Sequence, residues 1–241
     1  MNYKKLLGLA AATILSTSAN AAMFVFDDTS DTETKFVSSI DFGDFEVTAG
    51  YTNGLNLGNA GSFSKTTNTF AGEVYWDTNP ANGGLGLTSP LNSSDGLDSN
   101  FQNNAGSDEV LFFEFDTSTI LDTVWFNGSH KDLVTADRNN NIYDGGDALF
   151  NIFASADGID YTSVFSPASN GHYQQAPIDR DYLTTGVDMG YMYYAVASTG
   201  WGSHSSYVEK ISYNAVSEPA TLALLGLGVL GLGAARRRSA K

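Results

Sequence analysis

Nine short runs rich in Phe, Tyr, Val and Ile punctuate this chain, and clusters of Gly, Asn, Asp and Ser separate them. The runs are "MFVF" (23–26), "FVSSIDF" (36–42), "DFEVTAGY" (44–51), "FAGEVYW" (70–76), "EVLFFEF" (109–115), "ILDTVWF" (120–126), "ALFNIFAS" (148–155), "YMYYAVAS" (191–198) and "YVEKISYNAV" (207–216). Several alternate with period two, the signature of a strand with one buried face. "EVLFFEF" is nearly continuous, as a strand buried on both faces would be. The clusters between runs are turn formers. No window of a dozen residues in the middle of the chain has a helical period. The pattern predicts an all-β fold: a single β-sandwich, jelly-roll-like, over residues 22–215. Two long connections, 77–107 and 127–147, stand out as loops that are functional, ordered by metal, or mobile.

The two ends follow other rules. Lys4 and Lys5 precede the apolar run Leu6 to Leu15, and Ala19-Asn20-Ala21 fits a small-residue cleavage site. Residues 1–21 therefore read as a secretory signal peptide, since about ten apolar residues are too few to span a bilayer. There is no cysteine, so an exported domain has no disulfide to hold it, and cysteine-based zinc sites and thiol nucleophiles are excluded. Two of the 12 Lys and Arg lie in the signal peptide and four follow Pro219, leaving six, against 26 of the 27 Asp and Glu. The central region thus carries a net charge of −20. Such a surface repels nucleic acid and anionic lipid, so no nucleic-acid partner is expected.

Residues 216–241 contain Ser217-Glu218-Pro219, then Ala220 to Ala235 without a charge, then Arg236-Arg237-Arg238. As a helix, those sixteen uncharged residues would extend about 24 Å at 1.5 Å per residue, a little short of the hydrocarbon core. The arginines hold that end in the cytoplasm by the positive-inside rule. Gly226, Gly228, Gly231 and Gly233 would weaken a soluble helix by about 1 kcal/mol each, whereas a membrane tolerates small residues. The expected topology is an external domain, one membrane span and a basic tip inside. Pro219 keeps the backbone before it extended.

Ser217-Glu218-Pro219, the apolar span and the terminal arginines together resemble a PEP-CTERM sorting signal, found on exported proteins of Gram-negative bacteria that make extracellular polysaccharide. The usual motif is Pro-Glu-Pro, and Ser217 takes the place of its first proline. The resemblance implies recognition by exosortase, a membrane cysteine protease that would cut near Glu218-Pro219. The span would then be a transient inner-membrane anchor, and the external domain would be released or attached at the cell surface. The middle of the chain, with Gly84-Leu85-Gly86-Leu87, Asp95-Gly96-Leu97-Asp98, Ser107-Asp108-Glu109 and Asp144-Gly145-Gly146-Asp147, also looks like domains carried by such proteins. That likeness implies no activity.

Little in the middle points to catalysis. There is no G-x-S-x-G and no H-E-x-x-H, and the histidines are His130, His172 and His204 alone. Ser203 and Ser205 flank His204, but neighbours on a strand point to opposite faces. A glycosidase needs only two carboxylates, and 26 acids neither identify nor exclude such a pair. Calcium takes oxygen ligands from Asp, Asn and Glu. If the two long loops met, Asp95, Asp98, Asp108, Glu109, Asp144 and Asp147 could converge on a Ca2+ ion. Turn formation accounts for the same residues without one. Unchanged melting between calcium and chelator would exclude the ion. Trp76 and Trp201 are candidates for stacking on sugar, while Trp125, within "VWF", reads as core. No catalytic residue is assigned. The expected protein is a non-enzymatic surface or matrix protein, sorted by exosortase and associated with exopolysaccharide. The alternative is a secreted hydrolase acting on that polysaccharide.

Overall fold

All nine apolar runs become strands, and every described pairing between strands is antiparallel. The computed structural model describes residues 21–26, 34–58, 60–78, 83–89, 97–99, 107–127, 149–165, 174–176, 180–199 and 204–216. Val216 apart, these belong to the unit Ala21–Ala215. The strands are β1 (Ala21–Val25), β2 (Thr34–Val37), β3 (Ser39–Asp41), β4 (Phe45–Thr52), β5 (Ser62–Ser64), β6 (Thr69–Ala71), β7 (Glu73–Asp77) and β8 (Gly84–Thr88). Then come β9 (Leu97–Ser99), β10 (Glu109–Asn127), β11 (Leu149–Ser155), β12 (Asp160–Phe165), β13 (Gln174–Ala176), β14 (Arg180–Thr184), β15 (Tyr191–Thr199) and β16 (His204–Ala215). A single helical turn, α1 (Lys65–Asn68), joins β5 to β6.

The pairing runs through one open sheet in the order β2-β7-β8-β16-β10-β15-β11-β12-β5. Its pivot is β10, which fuses the fifth and sixth apolar runs into one strand of 19 residues. Glu109 to Phe115 pair with β4 on one side, and Val110 to Glu114 pair with β15 on the other. Thr119 to Asn127 pair with β16, and Thr123 to Asn127 also pair with β14. Between these halves the register with β15 slips, from Glu114 to Thr119. The buried Tyr194 spans the slip: its hydroxyl donates to the Thr119 carbonyl at 2.7 Å and accepts the Leu121 amide at 3.2 Å. Burial raises the pKa of that phenol above its ordinary value, and its backbone hydrogen bonds lower it in part.

Period two along β10 decides where the core sits. Leu111, Phe113 and Phe115 enter the larger apolar cluster with Val47, Ile152 and Val196, and meet Val74, Leu87, Val208 and Ile211 from the other half of the sheet. Both halves therefore share one interior. Val110 and Phe112 point the opposite way, into a smaller cluster with Phe153, Ala195 and Ala197 that Leu57, Phe63 and Tyr161 cover. Each fully buried side chain of this size contributes about 1.5–3 kcal/mol. The unbroken hydrophobicity of "EVLFFEF" is thus the mark of a strand with a core on each face.

Some expectations need correction. The first long connection, 77–107, is not structureless: it contains β8 and β9, both paired with β16. Its glycines hid the strand, because β8 at Gly84 runs too close to β16 for a side chain. A Cβ at Gly84 would meet the Val208 carbonyl at 2.5 Å, and the φ of +142° also favours glycine. Trp125 is not core. Val124 and Phe126 take the interior face, so Trp125 lies half-buried on the other, with the Lys210 ammonium 5.1 Å from its ring centroid. Residues 128–148, most of the second long connection, lie outside the described residues.

Candidate functional site

The last strand leads directly into the segment that the sequence marks for processing. β16 ends at Ala215, and Val216 is exposed. Four things hold the strand up to that point. β10 pairs along one edge, from Thr119↔Ala215 onward. β1 pairs along the other, from Ala21↔Asn214 to Val25↔Lys210, and the Phe26 amide extends the ladder to the Glu209 carbonyl at 2.8 Å. Phe24 and Phe26 pack with Phe42 and Phe45 at ring separations of 5.0–6.2 Å. The Tyr213 hydroxyl donates to the Asp44 carboxylate at 3.0 Å. Burial, and then the hydrogen bond and charge of Asp44, push the Tyr213 phenol up to about 12. The first strand of the domain therefore pairs with the last. A cut after Ala21 or Ala22 would shorten β1 by one or two residues and leave Phe24 and Phe26 in place.

Of the acids considered for calcium, Asp95, Asp144 and Asp147 lie outside the described residues, as does the side chain of Asp98. Asp108 and Glu109 are buried, at 0% and 1% exposure. The Asp108 carboxylate accepts the Leu57 amide at 2.7 Å, while its backbone amide donates to the Thr52 hydroxyl at 3.0 Å. Asn151 holds the same loop from the other side, donating to the Leu57 carbonyl at 2.9 Å. Asp108 thus fastens the segment 52–57 over the smaller core. Among the described residues, no three His, Asp or Glu side chains converge as a metal site requires.

Trp76 donates its indole N–H to the Phe26 carbonyl at 2.6 Å and packs edge-on against Phe42. Its ring lies against the larger core. Trp201 lies outside the described residues, and so do Ser217, Glu218, Pro219 and the three arginines. Among the described residues, no helix is long and apolar enough to cross a membrane.

The sequence did not reveal a cleft of about 310 Å3 beside β4, lined by Ser38, Thr48, Lys65, Thr69, Phe70 and Phe112 among others. β3 pairs with β4 at Ser39↔Thr48 and β6 pairs at Gly50↔Ala71, so the cleft opens where one edge partner stops and the next begins. α1 delivers Lys65 to it. The ammonium donates to the Thr48 hydroxyl at 3.3 Å and sits 4.3 Å from the Phe112 ring centroid. Burial lowers the pKa of this lysine, and the carboxylates of Glu114 and Glu46 partly restore it. Phe70 is 52% exposed and stacks on Tyr51 at 5.6 Å. The available signal was that Lys65 is one of only six cations in the central region.

Comparison with known families matches residues 215–238 to the PEP-CTERM protein-sorting motif. The chain carries a PEP-CTERM sorting motif. No curated protein and no solved structure matches it. The PEP-CTERM motif starts on Ala215, the last residue of β16. It includes Ser217, Glu218, Pro219 and the three arginines, so the serine does not prevent the match. The motif supports an exported protein, transiently anchored in the membrane, that exosortase recognises and sorts.

Proposed function

We propose that this chain is a non-enzymatic surface or matrix protein of a Gram-negative cell that makes exopolysaccharide. A signal peptide over residues 1–21 sends it across the inner membrane, and the span 220–235 with Arg236-Arg237-Arg238 stops it there. Exosortase then cuts near Glu218-Pro219. The domain, a jelly-roll-like β-sandwich whose sheet halves share one core, associates with exopolysaccharide outside the cell.

One observation carries this reading: the PEP-CTERM motif begins on the last residue of a strand that is built into the core and paired with the first strand. The address can be removed and the fold kept. Replacing Glu218 and Pro219 with alanine tests it. Full-length precursor should accumulate in the inner membrane, and the surface fraction should fall. Surface delivery at the wild-type level would refute the reading. Incubation of the protein with the cell's exopolysaccharide separates a binding protein from a hydrolase, because only a hydrolase releases reducing ends.

A further inference from the structure

We propose that the cleft beside β4 is a binding site for an uncharged glycan, with the Phe70 ring as its stacking surface and Lys65 and Thr48 as its hydrogen-bonding groups. This rests on the reading that the domain associates with polysaccharide, and it names where and through what chemistry.

Sugar rings present apolar C–H faces and polar hydroxyl rims, so a site for them needs an aromatic surface beside a few fixed donors and acceptors. The cleft has both. Phe70 is among the most exposed large apolar side chains described, and Tyr51 supports one side of its ring. Lys65 has three N–H donors, and among the described residues Thr48 accepts from it. The Phe112 ring beneath Lys65, itself buried, and the Thr48 contact hold that ammonium in place. A donor already ordered and partly desolvated loses little freedom when it binds a hydroxyl. The volume of about 310 Å3 lies at the lower end of the range for small-ligand clefts, about 300–1,000 Å3.

Close backbone packing makes the cleft. A Cβ on Gly50 would lie 3.0 Å from both the Phe112 ring and the Phe70 carbonyl. The Gly72 amide donates to the Ala49 carbonyl at 3.1 Å, which draws the chain after β6 against β4. The walls therefore belong to the sheet rather than to a loose loop.

Charge selects the ligand class. Glu46 and Glu114, directly paired across β4 and β10, both act on Lys65. The charge of two carboxylates thus bears on one ammonium, on a domain of net charge −20. A polyanionic chain would be repelled from such a site, whereas a neutral ring would meet donors and acceptors of both kinds.

The test is titration calorimetry on the full-length chain, in a detergent without a sugar headgroup. Cellohexaose and maltohexaose serve as neutral probes and a galacturonate hexamer as the anionic one. A neutral hexamer should bind in preference to the anionic one. Phe70→Ala and Lys65→Met should each weaken it about tenfold, while Phe36→Ala, at an exposed ring stacked on Tyr75 outside this cleft, should leave it unchanged. Phe70→Ala alters an exposed side chain, so it keeps the test decisive if Lys65→Met fails to fold. Binding of no neutral probe, preference for the anionic probe, or undiminished binding by Phe70→Ala overturns the proposal. Co-sedimentation with exopolysaccharide from the producing cells separates the two levels. If wild type and Phe70→Ala both sediment with it, the association stands and this cleft is not its site. If wild type does not sediment with it, both readings fall.

Discussion

Asp108 and Leu57, far apart in sequence, meet in a buried hydrogen bond: the carboxylate accepts the Leu57 amide at 2.7 Å. The Leu57 side chain is fully buried in the smaller core, and its carbonyl is taken by Asn151. One backbone unit is thus gripped on both sides by polar side chains from β11 and from the residue preceding β10. Removing one partner of a buried hydrogen bond costs about 1–3 kcal/mol. Asp108→Ala should therefore lower unfolding stability in urea by about 2 kcal/mol, and Asn151→Ala by about 1 kcal/mol. Because both act on Leu57, the double variant should lose less than the two losses added together. Full additivity would mean that the loop is not held as a unit.

Tyr194→Phe tests the slip in β10. The hydroxyl serves the Thr119 carbonyl and the Leu121 amide at once, and no water replaces it easily at a side chain with 0% exposure. Its removal should cost about 1–3 kcal/mol. Amide exchange at Leu121 should speed up more than exchange at Leu111, in the half of β10 away from the slip. Equal acceleration at both would mean a global loss of stability rather than a local one.

Gly84→Ala should be among the most damaging small substitutions in the domain. The new methyl would meet the Val208 carbonyl at 2.5 Å and the Tyr207 Cβ at 2.8 Å, on a backbone with φ +142°. β8 must then move away from β16, and Leu85 and Leu87 leave the core with it. A stability loss of about 3 kcal/mol or more is expected. Gly61→Ala, where no heavy atom lies within 4 Å of the added methyl, should be nearly neutral. Similar melting temperatures for the two variants would refute the close approach.

The contrast between β10 and β8 shows what the sequence could reveal. "EVLFFEF" announced a doubly buried strand because each side chain reports its own environment, and both core clusters draw on it. "GLGLT" gave no such signal: its glycines look like turn formers, yet backbone proximity is their reason for being there. The processing segment was legible because charge and hydropathy are local properties, and residues 215–238 match the motif without any tertiary information. Asp108 was harder. Its position in an acidic loop suggested an ion, and only the fold shows that its carboxylate holds Leu57. The cleft at Lys65 was hidden for a similar reason, since it arises where β3 ends and β6 begins along β4. No local pattern encodes that gap.

The Tyr213–Asp44 bond should make the end of β16 sensitive to alkali. The phenol is neutral while it donates to Asp44, and its pKa moves from an ordinary 10.0 up to about 12 in the folded chain. The stability it contributes is present in full below pH 10 and is lost as pH rises through 10 toward about 12. Tyr161 and Tyr194 are also raised by burial, so wild type alone does not isolate the effect. Tyr213→Phe does: the stability gap between wild type and variant should be widest below pH 10 and should close toward pH 12. Asp44→Asn should lower the Tyr213 pKa, because it removes the charge that opposes ionisation. Urea titrations across this range check both outcomes, and a gap that does not change with pH would remove Asp44 as the partner of Tyr213. The consequence for sorting is local. Tyr213 lies two residues before Ala215, where the PEP-CTERM motif begins, so Tyr213→Phe should also increase amide exchange at Asn214 and Ala215 without increasing it at Phe113.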